Sequence, residues 1–186
     1  MNRSRIFLIF LGFMIFQSCE KDPDWRLWDY EGSVTATLNG SPWQDALVIG
    51  FDHRQDTVTF ANDPGISFTI DKYNQNGLLR QKIVFGQIPC ELGRYNLKTE
   101  SRNNHNEPYA SFITLQDDGD VVGDRFAVYD TDNSYIEILT LDDNYVSADF
   151  QLFLKRNLSQ DSLVYSSLPD TLLFTNGKLT TTLTAR

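Results

Sequence analysis

The sequence predicts an all-β fold, and three observations carry that expectation. Apolar and polar residues alternate at a period of two in most ordered-looking stretches. Threonine, valine, phenylalanine and tyrosine dominate those stretches, and Gly, Asn, Asp and Pro punctuate them. No window of useful length favours the 3.6-residue period of an amphipathic helix.

In chain order, Val34, Ala36 and Leu38 alternate with Ser33, Thr35 and Thr37, and Asn39-Gly40 closes that strand as a strong turn signal. Pro42-Trp43 leads into a strand from Ala46 to Phe51, and Ile66, Phe68 and Ile70 alternate with Ser67, Thr69 and Asp71. Gln81 to Phe85 and Gly93 to Leu97 follow. The more continuously apolar run from Ala110 to Leu115 suits a strand covered on both faces. Arg125 to Asp130 and Tyr135 to Leu141 flank Thr131-Asp132-Asn133-Ser134 and read as a hairpin. Val146, Ala148, Phe150, Leu152 and Leu154 make the longest alternation, and Asn176-Gly177 marks a turn before a last strand from Lys178 to Ala185. About nine or ten short strands in this order imply an antiparallel β-sandwich; a partly closed β-barrel is the alternative, because the period does not reveal whether the sheet closes. Glu100 to Pro108 and Asn157 to Pro169 are polar loops long enough to carry function.

Ahead of this domain stands a different kind of sequence. Arg3 and Arg5 precede an apolar run of eleven residues, Ile6 to Phe16, and Gln17-Ser18-Cys19 follows. As a helix the run is only about 16 Å long, against a bilayer core of about 30 Å. A basic start, a short apolar centre and a small residue before a cleavage point are the layout of a secretory signal. The boundaries expected are therefore a signal at 1–18, an acidic and aromatic linker at 19–31, and a single β-sandwich domain at 32–186.

The chain carries a formal charge of -9, and loss of Arg3 and Arg5 with the signal takes it to -11. An acidic domain of this kind is repelled by phosphate backbones, which argues against nucleic acid as a partner. Only two cysteines occur. If Cys19 is used at the terminus, Cys90 has no partner, and an unpaired cysteine in Ile88-Pro89-Cys90-Glu91-Leu92 reads as a small buried hydrophobe.

Ser18-Cys19 resembles the end of a bacterial lipobox, although Phe16 and Gln17 depart from its usual residues. That resemblance implies a lipid attached at Cys19. An ordinary cleaved signal or a short uncleaved anchor is the alternative. Glu20-Lys21-Asp22-Pro23-Asp24 resembles the acidic export signal of Bacteroidetes lipoproteins, which implies the outer membrane with the cell surface favoured over the periplasmic face; a solvated linker has the same composition. Within the domain, Ala36-Thr37-Leu38-Asn39-Gly40-Ser41-Pro42-Trp43, Phe85-Gly86-Gln87-Ile88-Pro89 and Gly93-Arg94-Tyr95 come in order. Tyr129-Asp130-Thr131-Asp132, Val146-Ser147-Ala148-Asp149-Phe150 and Thr175-Asn176-Gly177-Lys178-Leu179 follow them. Together they resemble a family of Bacteroidetes lipoprotein domains of unknown function. The resemblance implies an all-β domain on a lipid anchor and supplies no catalytic residue.

Candidate chemistry is sparse. Trp25, Trp28 and Trp43 are candidate ligand contacts, as stacking surfaces for sugars; for Trp25 and Trp28, with Tyr30, packing on the domain edge is the competing reading. Asp117, Asp118 and Asp120, and then Asp130, Asp132 and Asn133, form acidic clusters. Counted from Asp130, however, the glycine and final glutamate positions of an EF-hand hold Tyr135 and Leu141, so these read as turns and no metal is expected. His53 and His105 are the only histidines, and neither a nucleophile elbow nor a two-histidine metal motif accompanies them. No cofactor and no enzyme activity are expected. Asp56-Thr57-Val58, Asp161-Ser162-Leu163 and Asp170-Thr171-Leu172 resemble the acceptor of Bacteroidetes O-glycosylation, with Ser162 the best placed in a loop. The function expected is that of a lipid-anchored binding or assembly module for a glycan or an envelope protein. A structural lipoprotein without a small ligand and an envelope hydrolase are the alternatives.

Overall fold

The computed structural model describes residues 32–53, 65–100, 107–157 and 166–185, and over these residues the chain forms twelve strands and no helix. They are β1 (Gly32–Leu38), β2 (Ser41–Trp43), β3 (Ala46–Asp52), β4 (Ile66–Tyr73), β5 (Leu79–Ile88) and β6 (Gly93–Asn96). The second half adds β7 (Lys98–Thr99), β8 (Tyr109–Gln116), β9 (Val121–Val128), β10 (Tyr135–Asp142), β11 (Tyr145–Arg156) and β12 (Thr171–Ala185). Most of the alternating residues expected to share a face do so at the core: Val34, Ala36, Ile66, Phe68, Ile70, Val146, Ala148, Phe150, Leu152 and Leu154 are buried, and Phe85, Phe112, Phe126 and Phe174 join them. The all-β expectation therefore holds.

The sandwich does not. Strands β1, β3, β4, β5, β8, β9, β11 and β12 close into an eight-stranded antiparallel barrel. The closure comes from β12, which pairs along one edge with β11 and along the other with β1, while β1 continues the ring to β3 through Gly32↔Val48 and Ser33↔Leu47. A closed ring satisfies backbone donors and acceptors that an open edge would expose. What the period-two pattern lacks is any record of this bending. Asn176-Gly177, read as a turn, is instead a β-bulge inside β12, with Asn176 at φ 52°. The pairing slips at that point on both sides: Thr35↔Lys178 is followed by Thr37↔Thr175, and Phe150↔Gly177 by Leu152↔Phe174. Such a bulge sharpens the local twist and lets one long strand turn a barrel corner.

Two interrupted edges complete the wall. β2 and β3 both run antiparallel to β1 along the same edge, with Asp45 at φ 62° in the break. β9 and β10 repeat the device along β11: Val128 pairs with Leu154, and Tyr135 pairs with Gln151 farther along. The expected hairpin between them is thus corrected. Their connection is a turn, but it joins two strands in line rather than side by side. Ser134 bridges the break, its hydroxyl accepting from Phe153 N–H at 2.9 Å and its carbonyl from Leu97 N–H at 2.9 Å. By contrast Asn39-Gly40 forms the expected tight turn, with φ of 47° and 82°.

The barrel is filled rather than hollow. Phe85 meets Phe150 with ring centroids 5.3 Å apart, and Phe112 meets Phe126 at 5.4 Å and Phe174 at 5.8 Å. Eight strands leave an interior just wide enough for side chains. Gly177 belongs to this packing, because a Cβ placed there would lie 2.6 Å from atoms of the Phe150 ring. Gly177→Ala is expected to cost about 1–3 kcal/mol by overpacking. A lowered urea midpoint at unchanged slope would be the reading, and an unchanged midpoint would refute it.

Candidate functional site

At one end of the barrel the inward-facing positions turn from apolar to polar. After Phe68 and Ile70, β4 places Lys72 inward; β5 places Gln81 ahead of Ile83; β8 places Thr114 after Phe112; β9 places Asp124 ahead of Phe126; and β11 ends in Arg156 after Leu154. Trp43 caps this end from β2. Its ring stands edge-on to Phe174 at 5.2 Å, its indole N–H donates to Gln81 Oε1 at 2.9 Å, and Lys72 lies over it at 5.3 Å. The Lys72 ammonium also donates to the Gln44 carbonyl in the β2–β3 break.

The centre of the polar end is a buried ion pair. Arg156 Nη1 stands 2.5 Å from Asp124 Oδ2, and the two side chains are only 1% and 2% exposed. Taking both charges out of water costs several kcal/mol per ion unless other groups complete their shells, and here other groups do. Arg156 Nε donates to Asp170 Oδ1 at 3.1 Å, Nη2 donates to the Leu168 carbonyl, and the guanidinium lies 4.7 Å over the Phe126 ring. Asp124 Oδ2 accepts from Ser166 N–H at 2.7 Å, while Asp124 N–H donates to Thr114 Oγ1 at 2.8 Å. The pair therefore ties residues 166–170 across the end of the barrel.

Beside this strap lies an open groove of about 600 Å³ whose walls include Arg80, Gln81, Thr114, Gln116, Asp117 and Ser167. Guanidinium, amide, hydroxyl and carboxylate groups converge there, and the buried hydroxyl oxygen of Ser166 at its edge has no hydrogen-bond partner among the described residues. Such a surface suits a polar ligand held by several hydrogen bonds.

The residues singled out in the sequence fall elsewhere. Cys19, Trp25, Trp28, His105 and Ser162 lie outside the described residues. Trp43 is corrected: it is 4% exposed, because pairing with Ala36 turns its ring into the core, so it offers no open stacking face. Cys90 is half-buried and packs against the core. The first acidic cluster is the β8–β9 turn, where Asp118 hydrogen-bonds Asp120 and raises its pKa. In the second, Asp130 accepts from Asn133 N–H and Nδ2 at 3.2 and 2.9 Å. Thr171, in the third glycosylation-like motif, begins β12. His53 Nε2 lies 2.7 Å from Ser67 Oγ on the outer wall, and among the described residues no carboxylate orients the imidazole. Asp124 and Arg156 were missed, yet a signal was present. Each is a charge at the inward parity of a strand whose other inward residues are apolar.

No family model, curated protein or solved structure matches the chain.

Removing one partner of a buried pair leaves the other uncompensated, at about 3–5 kcal/mol. Arg156→Met is expected to lose stability on that scale, and Asp124→Asn combined with Arg156→Met to lose less. A double-variant loss equal to the sum of the Asp124→Asn and Arg156→Met losses in denaturant titrations would show that the pair is not coupled. On the outer wall, Asp71 pairs with Lys82 at 3.2 Å, but burial outweighs the lysine and raises the carboxyl pKa above the usual 3.8. The folded state then holds a proton that the unfolded state releases first. Stability from this group is present below pH 3.8 and lost as pH rises through the folded value. Asp71→Asn is expected to remove that fall, so a variant whose pH–stability curve keeps the wild-type slope would refute it.

Proposed function

We propose that this chain is a lipid-anchored protein of the cell envelope and that its β-barrel domain is a non-enzymatic binding module. The observation that carries the binding reading is the contrast between a fully packed interior and an open polar groove at one end. A ligand held on such a domain sits at the rim rather than inside, and the groove offers hydrogen-bonding groups without a described nucleophile, base and orienting acid brought together. The ligand classes that fit are a glycan or a polar segment of another envelope protein.

The anchoring reading rests on the basic, apolar and small-residue layout before Cys19. Acylation there would place the domain on the outer membrane, with the acidic stretch Glu20 to Asp24 favouring the cell surface. Each buried methylene contributes about 0.8 kcal/mol, so more than one chain holds the protein stably where a single chain is marginal.

One experiment covers address and partner together. Cells fed a labelled fatty acid are surface-crosslinked, and the protein is recovered by affinity. Label is expected on the wild type and not on Cys19→Ser, and a crosslinked glycan or protein is expected to be captured and then reduced by Gln116→Ala. Absence of label removes the anchor; absence of any captured partner, together with an empty glycan array, removes the binding module.

A further inference from the structure

The end of the barrel opposite the groove carries an apolar surface of its own. β11 starts there at Tyr145 and runs about 35 Å along its length to Arg156 at the polar end. The described chain also enters there, at Gly32. Ser33 pairs with Thr180, Thr180 with Ser147, and Ser147 with Thr140, so Gly32 and the C-terminal end of β10 share this end. Leu139 is the residue that the register skips between Ile138 and Thr140. Ile138 pairs with Gly93, which sets Leu139 beside Leu92, the residue ahead of β6. Leu92 is 64% exposed, Leu139 51% and Tyr145 46%. The other exposed large hydrophobics among the described residues, Val121 and Tyr129, stand apart at the start and just past the end of β9, so exposed apolar area gathers at the entry end alone.

The surroundings and the tether decide what covers this end. Glu91 stands beside Leu92, and Asp142 and Asp143 lie in the turn ahead of Tyr145; all three are exposed. The cation nearest to Leu92 in the chain, Arg94, is held by Glu137 at 2.6 Å and lies 3.9 Å over the Tyr135 ring. An anionic surface is therefore repelled, whereas the ammonium groups of zwitterionic headgroups can donate to the three carboxylates. Leucine suits the acyl boundary below those headgroups, and tyrosine, with an apolar ring and a polar tip, suits the headgroup level itself. Cys19 stands thirteen residues ahead of Gly32, and the chain between them spans at most about 45 Å. A lipid at Cys19 keeps a bilayer within reach of this end at all times. A protein partner suits it less well, since stable interfaces bury about 1,200 Å² or more, beyond what three side chains supply.

We propose that Leu92, Leu139 and Tyr145 seat the entry end of the barrel on a net-neutral, zwitterionic lipid surface and so turn the polar groove away from the membrane. The two leucines enter the acyl boundary, and Glu91, Asp142 and Asp143 stay at the headgroup level. A tether of this length alone leaves the domain free to tumble; the apolar face gives it one orientation, with the groove open to a ligand outside the membrane. The proposal rests on the reading of Cys19 as a lipid anchor, while using no residue of the groove.

The test is photolabelling of the full-length chain as its cells process it, placed in vesicles of phosphatidylethanolamine and phosphatidylcholine that carry a diazirine lipid. Mass spectrometry reads the labelled peptides and the state of Cys19. Peptides holding Leu92, Leu139 and Tyr145 are expected to carry about tenfold more label than those holding Gln116 and Val121, the scale of bias that two buried leucines give. Leu92→Ser combined with Leu139→Ser should bring the two ends to equal labelling, and Val121→Ser should change nothing. Vesicles made mainly of anionic phosphatidylglycerol should weaken the bias. Both leucines are exposed, so the double variant is expected to fold, with the thermal transition as the check. The lipid-facing end is overturned by equal label, or none, at the two ends of the wild type, by a bias that survives the double variant, or by a stronger bias on anionic vesicles. A crosslinked dimer that the wild type forms and the double variant does not also overturns it, in favour of contact between copies. Acylated Cys19 with equal labelling removes the lipid-facing end and leaves the anchor. Unmodified Cys19 with label confined to the leucine end removes the anchor and supports the lipid contact, so the two readings fail separately.

Discussion

The structure depends on β12 having partners on both edges. A strand of 15 residues bonded to β11 on one side and to β1 on the other removes the open edges that a flat sheet would present. Closure requires the strand to turn a corner, and the bulge at Asn176 supplies the turn while both neighbours slip their register with it. Gly177 follows because the inner side of that corner is filled by the Phe150 ring. Core, bulge and ring closure are thus one constraint.

The same geometry accounts for the polar end. Inward parity continues to the last residue of β11, so Arg156 enters the barrel along with Leu152 and Leu154. A guanidinium in that position is tolerable only with partners, and the Asp124 carboxylate, Asp170 and the Leu168 carbonyl provide the ion pair and the hydrogen bonds from Nε and Nη2. In doing so they fix residues 166–170 across the barrel end and shape the wall of the groove. The cost of burying one charge thereby organises a local surface that no strand by itself would define.

Much of the fold was legible residue by residue. The inward sets Val34–Ala36, Ile66–Phe68–Ile70 and Val146 to Leu154 were read correctly, as was the tight turn at Asn39-Gly40. The errors have a common physical source. Asn and Gly adopt positive φ as readily in a bulge as in a turn, so Asn176-Gly177 has the same signature in both. Likewise the 129–134 turn is real, but local residues do not state whether the strands that it joins will pair with one another or with β11. Trp43 failed as a surface residue because a three-residue strand is enough to set its facing.

By itself the sequence determined strand propensity, facing and charge. These depend on alternation and composition, which act between near neighbours in the chain. Only the tertiary structure decided that the sheet closes, that Asp124 meets Arg156, and that Leu139 lies beside Leu92. Each of these joins residues far apart in sequence, and their meeting is set by register and bulges rather than by local preference.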